Sequence, residues 1–271
     1  MRIAEKKDLD ALCRLFENAH HASLDYARMA LERFAGVEHL LVEDGPNGPE
    51  AFVCAVPVTL GPRNGVYFYG LSAPQGREAE ILHKAEEWVH EDGVTFAVAR
   101  PRTAEQWALY TENGYQKAFG ARRLSRAIRR NLWAQADFDA VTVRTLEQLR
   151  RQYAPDSVCL PSHALVEVMT DLYSRGLTIV SSEEGYGMYF QKGETLHFIE
   201  LFAIGDRPAE KLMEAAREKV GAERAELLLG TEQNLFLGEG SREDYGCIRF
   251  FGRPFDVTES YMRLMLDAAE E

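Results

Sequence analysis

Tyr110 stands in the run Leu109-Tyr110-Thr111-Glu112-Asn113-Gly114-Tyr115, at the end of a stretch with helical spacing. A phenol so placed can donate a proton to a departing anion; a core tyrosine on an amphipathic helix is the plainer alternative. Upstream, Pro74-Gln75-Gly76-Arg77-Glu78-Ala79 joins an extended segment to a helix. The free N–H groups and positive dipole end of a helix start suit an anion such as a pyrophosphate. Glu78 and Glu80 also favour a helix start on their own, so an ordinary turn competes with the anion site. His20 and His21 are adjacent and point in different directions on a helix. His83 and His90 share a face, but their spacing is longer than zinc sites prefer, so both are expected in solvent. The arginine-rich run Arg122, Arg123, Arg126, Arg129, Arg130 reads as a charged strand edge and linker, or as a lure for an anion. Cys13, Cys54, Cys159 and Cys247 lie far apart with no CxxC pair, which predicts buried reduced thiols rather than a metal knuckle.

These groups need elements to hold them. Met1–Ala4 reads as a short strand, and Leu9, Leu12, Leu15 and Phe16 mark a helix beginning at Asp8. A second helix covers about 23–34. Val37–Val42 and Ala51–Leu60 flank the turn-rich EDGPNGPE and form a hairpin. After a turn at Gly61–Gly65 the next strand is Val66–Ala73. Ile81, Leu82, Ala85, Trp88 and Val89 then recur at helical spacing until Gly93. Val94–Ala99 is a short buried strand. Thr103 caps a helix that stops at Asn113–Gly114, and Tyr115–Ile128 is extended. Arg129–Phe138 reads as a linker. Beyond it the order begins again, with a strand at Val141–Thr145, helices at Leu146–Tyr153 and His163–Tyr173, strands at Leu177–Ser181, Tyr186–Gln191 and Leu196–Ala203, a helix at Pro208–Val220 and a strand at Ala225–Leu229. YGCIRFFGRPF is extended, and a last helix starts near Glu259. Three meandering strands followed by a right-handed strand-helix-strand crossover give a mixed sheet with helices on both faces. The fold class is therefore α/β of mixed character, in two consecutive units at 1–130 and 139–271.

A strand ending GLSAP, a crossover helix, the strand VTFAVARP and then TAEQWALYTENGY together resemble the GNAT superfamily of N-acetyltransferases. The segment from Leu109 to Tyr115 is similar to the family's LY-x-x-x-G-[FY] pattern. The resemblance covers roughly residues 1–128, and the repeated element order suggests a divergent second copy, as in tandem GNAT proteins of bacteria. It implies acetyl-CoA as co-substrate, with the amide-bearing pantetheine arm added as a pseudo-strand along Leu71, Ser72 and Ala73. It also implies pyrophosphate at Gln75, Gly76, Arg77, Glu78 and Ala79, Thr103 beside the cofactor, and Tyr110 as acid to the leaving thiolate. The sequence departs from the family's [QR]-x-x-G-x-[GA] loop. With Ala79 as the small residue, Pro74 replaces Gln or Arg and Arg77 replaces the first glycine; a shorter loop would put Gly76 at the turn instead. Arginine can pair with phosphate, whereas Glu78 and Glu80 repel it. Thr103 stands where many members carry asparagine. In the second copy, Ile204–Glu210 lacks the glycine pair and no LYxxxG segment follows Leu229, while Gly238-Glu239-Gly240 makes only a weak nucleotide motif. The family's general base is a glutamate or a water chain near the central strands; Glu200 and Tyr69 are candidate positions, and neither is assigned.

With 271 residues, 46% of them hydrophobic, there is material for one large or two smaller cores. The 43 acidic against 31 basic residues leave a net charge of −12, which repels phosphate backbones and excludes a general nucleic-acid binder. No apolar run approaches the roughly 20 residues of a membrane span, and MRIAEKKDLDALC lacks a leader pattern, so a cytoplasmic location is expected. Two functions follow from the resemblance. One is transfer of acetyl from acetyl-CoA to a primary amine of a small molecule or peptide, and the acidic chain mildly favours a cationic acceptor. The other is a catalytically silent GNAT-like module that binds a ligand or protein. A monomer and a homodimer are equally compatible with the sequence.

Overall fold

The computed structural model describes residues 1–263, 265 and 266. The chain opens with β1 (Arg2–Ile3), α1 (Leu9–His20) and α2 (Leu24–Arg28), and a π-helical segment, Met29–Ala35, continues α2. The strands β2 (Leu40–Gly45), β3 (Gly48–Leu60) and β4 (Arg63–Ser72) form the meander. There follow α3 (Glu78–Glu91), β5 (Phe96–Ala99), α4 (Ala104–Glu112), β6 (Gln116–Ala118) and β7 (Ala121–Ala127). The later part holds β8 (Asp137–Phe138), α5 (Val143–Tyr153), β9 (Val158–Cys159), α6 (Ser162–Ser174), β10 (Thr178–Ser182), β11 (Gly185–Lys192) and β12 (Thr195–Ala203). It closes with α7 (Asp206–Val220), β13 (Arg224–Gly230), β14 (Ser241–Glu243) and β15 (Gly246–Phe250). Hydroxyl caps set three helix starts. Ser23, Thr103 and Thr142 each accept the backbone N–H three residues on at 3.2 Å, satisfying a donor the helix cannot.

Two expectations need correction. Val141–Thr145 is not a strand: the Thr142 cap starts α5 within it, so the cap overrides the β-branched composition. A helix near Glu259 is not formed over 259–263, where a turn leads to a single bridge at Tyr261; its remainder lies partly outside the described residues. Tyr115–Ile128 is extended as expected but breaks at Phe119, whose φ of 53° turns the chain before Gly120.

The contacts divide the chain into two units, and not at the 130/139 cut. Unit 1 comprises Met1–Ala118, Val158–Glu167 and Gly246–Asp256; unit 2 comprises Phe119–Ser157, Val168–Tyr245 and the chain from Val257 on. The sheet of unit 1 runs β1-β2-β3-β4-β5-β15-β6, with β9 added to β3. Among the described residues only β4 and β5 in it are parallel. Its strands alternate as period two demands. Val53, Ala55, Val66 and Phe68 face Leu82, Ala85 and Val89 of α3, while Phe52 and Tyr69 meet the Phe16 ring of α1 at 6.4 and 5.9 Å. Each fully buried Val, Leu or Phe among them contributes about 1.5–3 kcal/mol.

Unit 2 repeats the plan. Its sheet runs β14-β7-β13-β12-β11-β10-β8, with β12 and β13 as the parallel pair, and its core packs Leu124, Phe198, Leu227 and Leu229 against Ala209, Leu212, Met213 and Ala216 of α7. The strand antiparallel to β5 is β15, from late in the chain. The strand antiparallel to β13 is β7, from the chain's first half. Each unit thus takes its closing strand from the other stretch of sequence, a reciprocal exchange. The linker run Arg129–Phe138 is tied into unit 2, with Asn131 donating to Glu214 at 2.7 Å.

Candidate active site

In unit 1, β4 and β5 pair from Gly65↔Phe96 only to Tyr67↔Val98. Beyond that point the strands part, and Phe68–Ser72 keep β3 alone as neighbour. The β3–β4 register shifts here, because two steps of β3, from Phe52 to Cys54, span three of β4, from Ser72 to Tyr69. Gly70 sits in this bulge at φ 62°, and a Cβ on it would come within 2.8 Å of the Phe16 ring. Only glycine meets both demands. Among the described residues no strand pairs with β4 on its β5 side beyond Tyr67, and an edge of this kind can hydrogen-bond an extended, amide-bearing ligand.

Leu71 and Ser72 end β4 on that edge, Ser72 being buried, and Ala73 leads into the turn. Gln75 and Gly76 form the turn, with Gly76 at φ 82°. Arg77 is the N-cap residue of α3, and Glu78 and Ala79 are its first residues. The stretch Leu71–Ala79 is thus continuous from the open edge to the helix start, whose first N–H groups lack intrahelical acceptors. Arg77 does not project freely toward an anion. Its guanidinium bonds Glu50 and, at 3.0 Å, Glu80. Glu80 also meets Lys84 at 2.8 Å, and Lys84 meets Glu43 at 2.6 Å. These cations hold the Glu80 carboxyl down at about 2, the Arg77 hydrogen bond first among them. Thr103 is engaged as the N-cap of α4, the helix after β5.

Tyr110 lies on the α3 side of the sheet in a cluster with Phe68, Leu82, Ala85 and Cys247. Its ring meets that of Tyr115 edge-on at 4.9 Å. Burial, then the nearby Cys247, Tyr67 and Glu86, push the phenol far up, so it keeps its proton at neutral pH. Of two further groups, Glu86 was not singled out by the sequence and His20 was weighed only as a metal ligand. Glu86, on the apolar stripe of α3, is 3% exposed and meets Arg249 of β15 at 2.7 Å. Burial raises its carboxyl against the pull of Arg249. Arg249 also donates to the Asn113 carbonyl that ends α4. His20, at the end of α1, packs its ring at a tilt against Phe16 with centroids 4.5 Å apart; burial lowers its imidazole, and a hydrogen bond to the Gly70 backbone opposes that. Glu86 betrayed itself only as a carboxylate at a core position, and His20 only through its distance from Phe16. The Tyr26 and Tyr69 hydroxyls lie 3.2 Å apart nearby.

Other expectations fare variously. His83 and His90 are exposed, His83 beside Glu87 at 3.3 Å. Cys13, Cys54 and Cys247 are buried free thiols and Cys159 is half-buried. Glu200 is buried in unit 2 against Arg150 and Tyr186. Arg122 and Arg126 are spent within unit 2 on loop carbonyls and on Glu239. Among the described residues no group of three or more His, Cys, Asp or Glu is arranged to hold a metal, and no helix is long and apolar enough to cross a membrane.

No family model and no curated protein matches the sequence. Solved structures do match in fold. The GCN5-related N-acetyltransferase of Anabaena variabilis ATCC 29413 superposes with a TM-score of 0.69 at 13% identity, over 92% of this chain and 72% of that one. Eis1 of Mycobacterium abscessus gives 0.68 at 14%, over 91% and 72%. A tandem GNAT protein from the clavulanic acid biosynthesis pathway gives 0.55 at 9%, over 94% and 98%. The chain has the fold of these proteins, with two GNAT-like units that are each an open mixed sheet flanked by helices.

Proposed function

We propose that unit 1 is an acetyl-CoA-dependent N-acetyltransferase acting on a primary amine of a small molecule or peptide. The observation that carries this is the parting of β4 from β5 after Tyr67↔Val98, bulged at Gly70 and running straight into the start of α3. Leu71, Ser72 and Ala73 supply the edge for the pantetheine amides. On this reading Gln75, Gly76, Arg77, Glu78 and Ala79 hold the pyrophosphate, and Thr103 contacts the cofactor from the start of α4. The amine nitrogen adds to the thioester carbonyl, the C–S bond breaks and Tyr110 donates its proton to the departing sulfur; the proton the amine loses to solvent is balanced by one that solvent returns to the Tyr110 phenolate, which restores the acid. A phenol sealed from water is suited to that step, because it is protonated whenever substrate arrives. Titrating the full chain with acetyl-CoA in a calorimeter, then following thiol release with a panel of amines, tests the reading. No heat at millimolar acetyl-CoA sinks it.

One observation favours a second reading, a silent GNAT-like binding module. Arg77, the sole cation among the phosphate-loop residues 74–80, is already neutralised by Glu50 and Glu80, so a pyrophosphate would have to displace a carboxylate. On this reading Tyr110→Phe leaves the cellular role intact, and thiol release with any amine excludes it.

A further inference from the structure

Unit 2 builds the same opening as unit 1. β12 and β13 pair in parallel from Thr195↔Arg224 only to Phe198↔Leu227. Beyond that, Ile199–Ala203 and Leu228–Gly230 diverge. β12 is bulged at the same relative place, with Met188↔Glu200 and Tyr189↔Phe198 leaving Ile199 unmatched, and α7 follows directly from Gly205. An open edge of this kind demands hydrogen-bond partners, since unpaired buried backbone groups are costly.

In unit 2 the partners come from the chain itself. Gln233, 6% exposed, reaches across the gap. Its amide nitrogen donates to the Leu201 carbonyl of β12 at 2.5 Å, and its amide oxygen accepts the Gly230 N–H of β13 at 3.1 Å. One carboxamide therefore satisfies an acceptor on one parted strand and a donor on the other, as a peptide-like ligand laid in the gap would. The loop that presents it is pinned. Arg122, 4% exposed, donates to the carbonyls of Gln233, Leu235, Phe236 and Glu239 at 2.6–3.0 Å. Asp206, the first residue of α7, accepts the Phe236 N–H at 2.7 Å, so a carboxylate and a loop stand where an anion would approach the helix. Arg263 caps the Leu229 carbonyl at 3.0 Å. On the bulge itself, Glu200 is 1% exposed, accepts from the Tyr186 hydroxyl and meets Arg150 at 3.3 Å.

We infer that the Gln233 carboxamide is a built-in replacement for the amide-bearing arm of an acyl-CoA, so that unit 2 is closed to that ligand and the chain takes at most one equivalent, in unit 1. The occupancy of unit 1 rests on the function proposed above; the closure of unit 2 does not. The test is native mass spectrometry of the full chain with acetyl-CoA, alongside amide hydrogen exchange with and without 1 mM ligand. The wild type is expected to carry one equivalent, with new protection confined to residues 68–79 and the Gly230 amide already slow without ligand. Gln233→Gly alone, or with Arg122→Met to release the loop, is expected to raise the count to two, with protection appearing at 201–209. A wild type that binds nothing while an opened variant binds one equivalent at 201–209 retains the inference and removes the proposed function of unit 1. Ligand-dependent protection at 201–209 in the wild type overturns the inference. So does a fast-exchanging Gly230 amide, a readout that needs no variant to fold, and so does an unchanged count in both opened variants.

Discussion

A phenol enclosed by Phe68, Leu82, Ala85 and Cys247 can give up its proton only to a base formed beside it, and a departing thiolate is such a base. Tyr110→Phe is therefore expected to lower kcat by roughly 10²-fold or more while the Kd for acetyl-CoA, measured by calorimetry, stays put. Removing the carboxylate that competes for Arg77 should act the other way. Glu50→Gln is expected to tighten acetyl-CoA binding by about fivefold, near 1 kcal/mol, because both partners are only about one-third exposed and still largely screened. Burial also shapes the pH response. His20 and His39 have imidazoles lowered below 6.5, so the unfolded chain binds protons before the folded one does. Stability is full above about 6.5 and declines as pH falls below it; His20→Asn should flatten the fall in Tm between pH 7 and 5.5. At this scale the sequence marked Tyr110 as a candidate through its LYxxxG setting. It hid Glu86, because a glutamate at a stripe position looks the same whether it reaches solvent or turns inward to Arg249, a residue 163 positions away.

The decisive element is a strand that stops pairing. Its position was legible, since VYFYGLSA ends in turn residues and a helical period follows. The bulge was not, because it depends on how Phe16 packs against the backbone at Gly70 rather than on local pattern. Gly70→Ala must place a Cβ at φ 62° and within 2.8 Å of the Phe16 ring. It is expected to cost about 1–3 kcal/mol in urea unfolding and to weaken acetyl-CoA binding as β4 straightens. The misread element, Val141–Thr145, fails for a similar local reason. Three β-branched residues in a row of four suggest a strand, yet one of them is the hydroxyl that caps α5.

At the level of the whole molecule, the repeated element order was visible as two successive periods, and the expected boundary followed from reading them end to end. What the order conceals is which sheet each closing strand joins. That choice is made by pairing across long sequence separations, to which local periodicity is blind. The exchange makes a strong prediction. A fragment ending at residue 130 lacks β15, leaving β5 and β6 with no strand between them, so it should be poorly soluble and lack dispersed amide resonances. Restoring residues 246–256 as a linked segment should recover them.

The same exchange fixes the timetable of synthesis. β5 leaves the ribosome with Ala99, but the strand that covers its outer edge ends at Phe250, about 150 residues later. At roughly 5–20 residues per second, that edge waits about 8–30 s for its partner. Throughout that interval the nascent chain presents the bare backbone of Phe96–Ala99 to any passing strand, so the late partner leaves this edge open to mispairing.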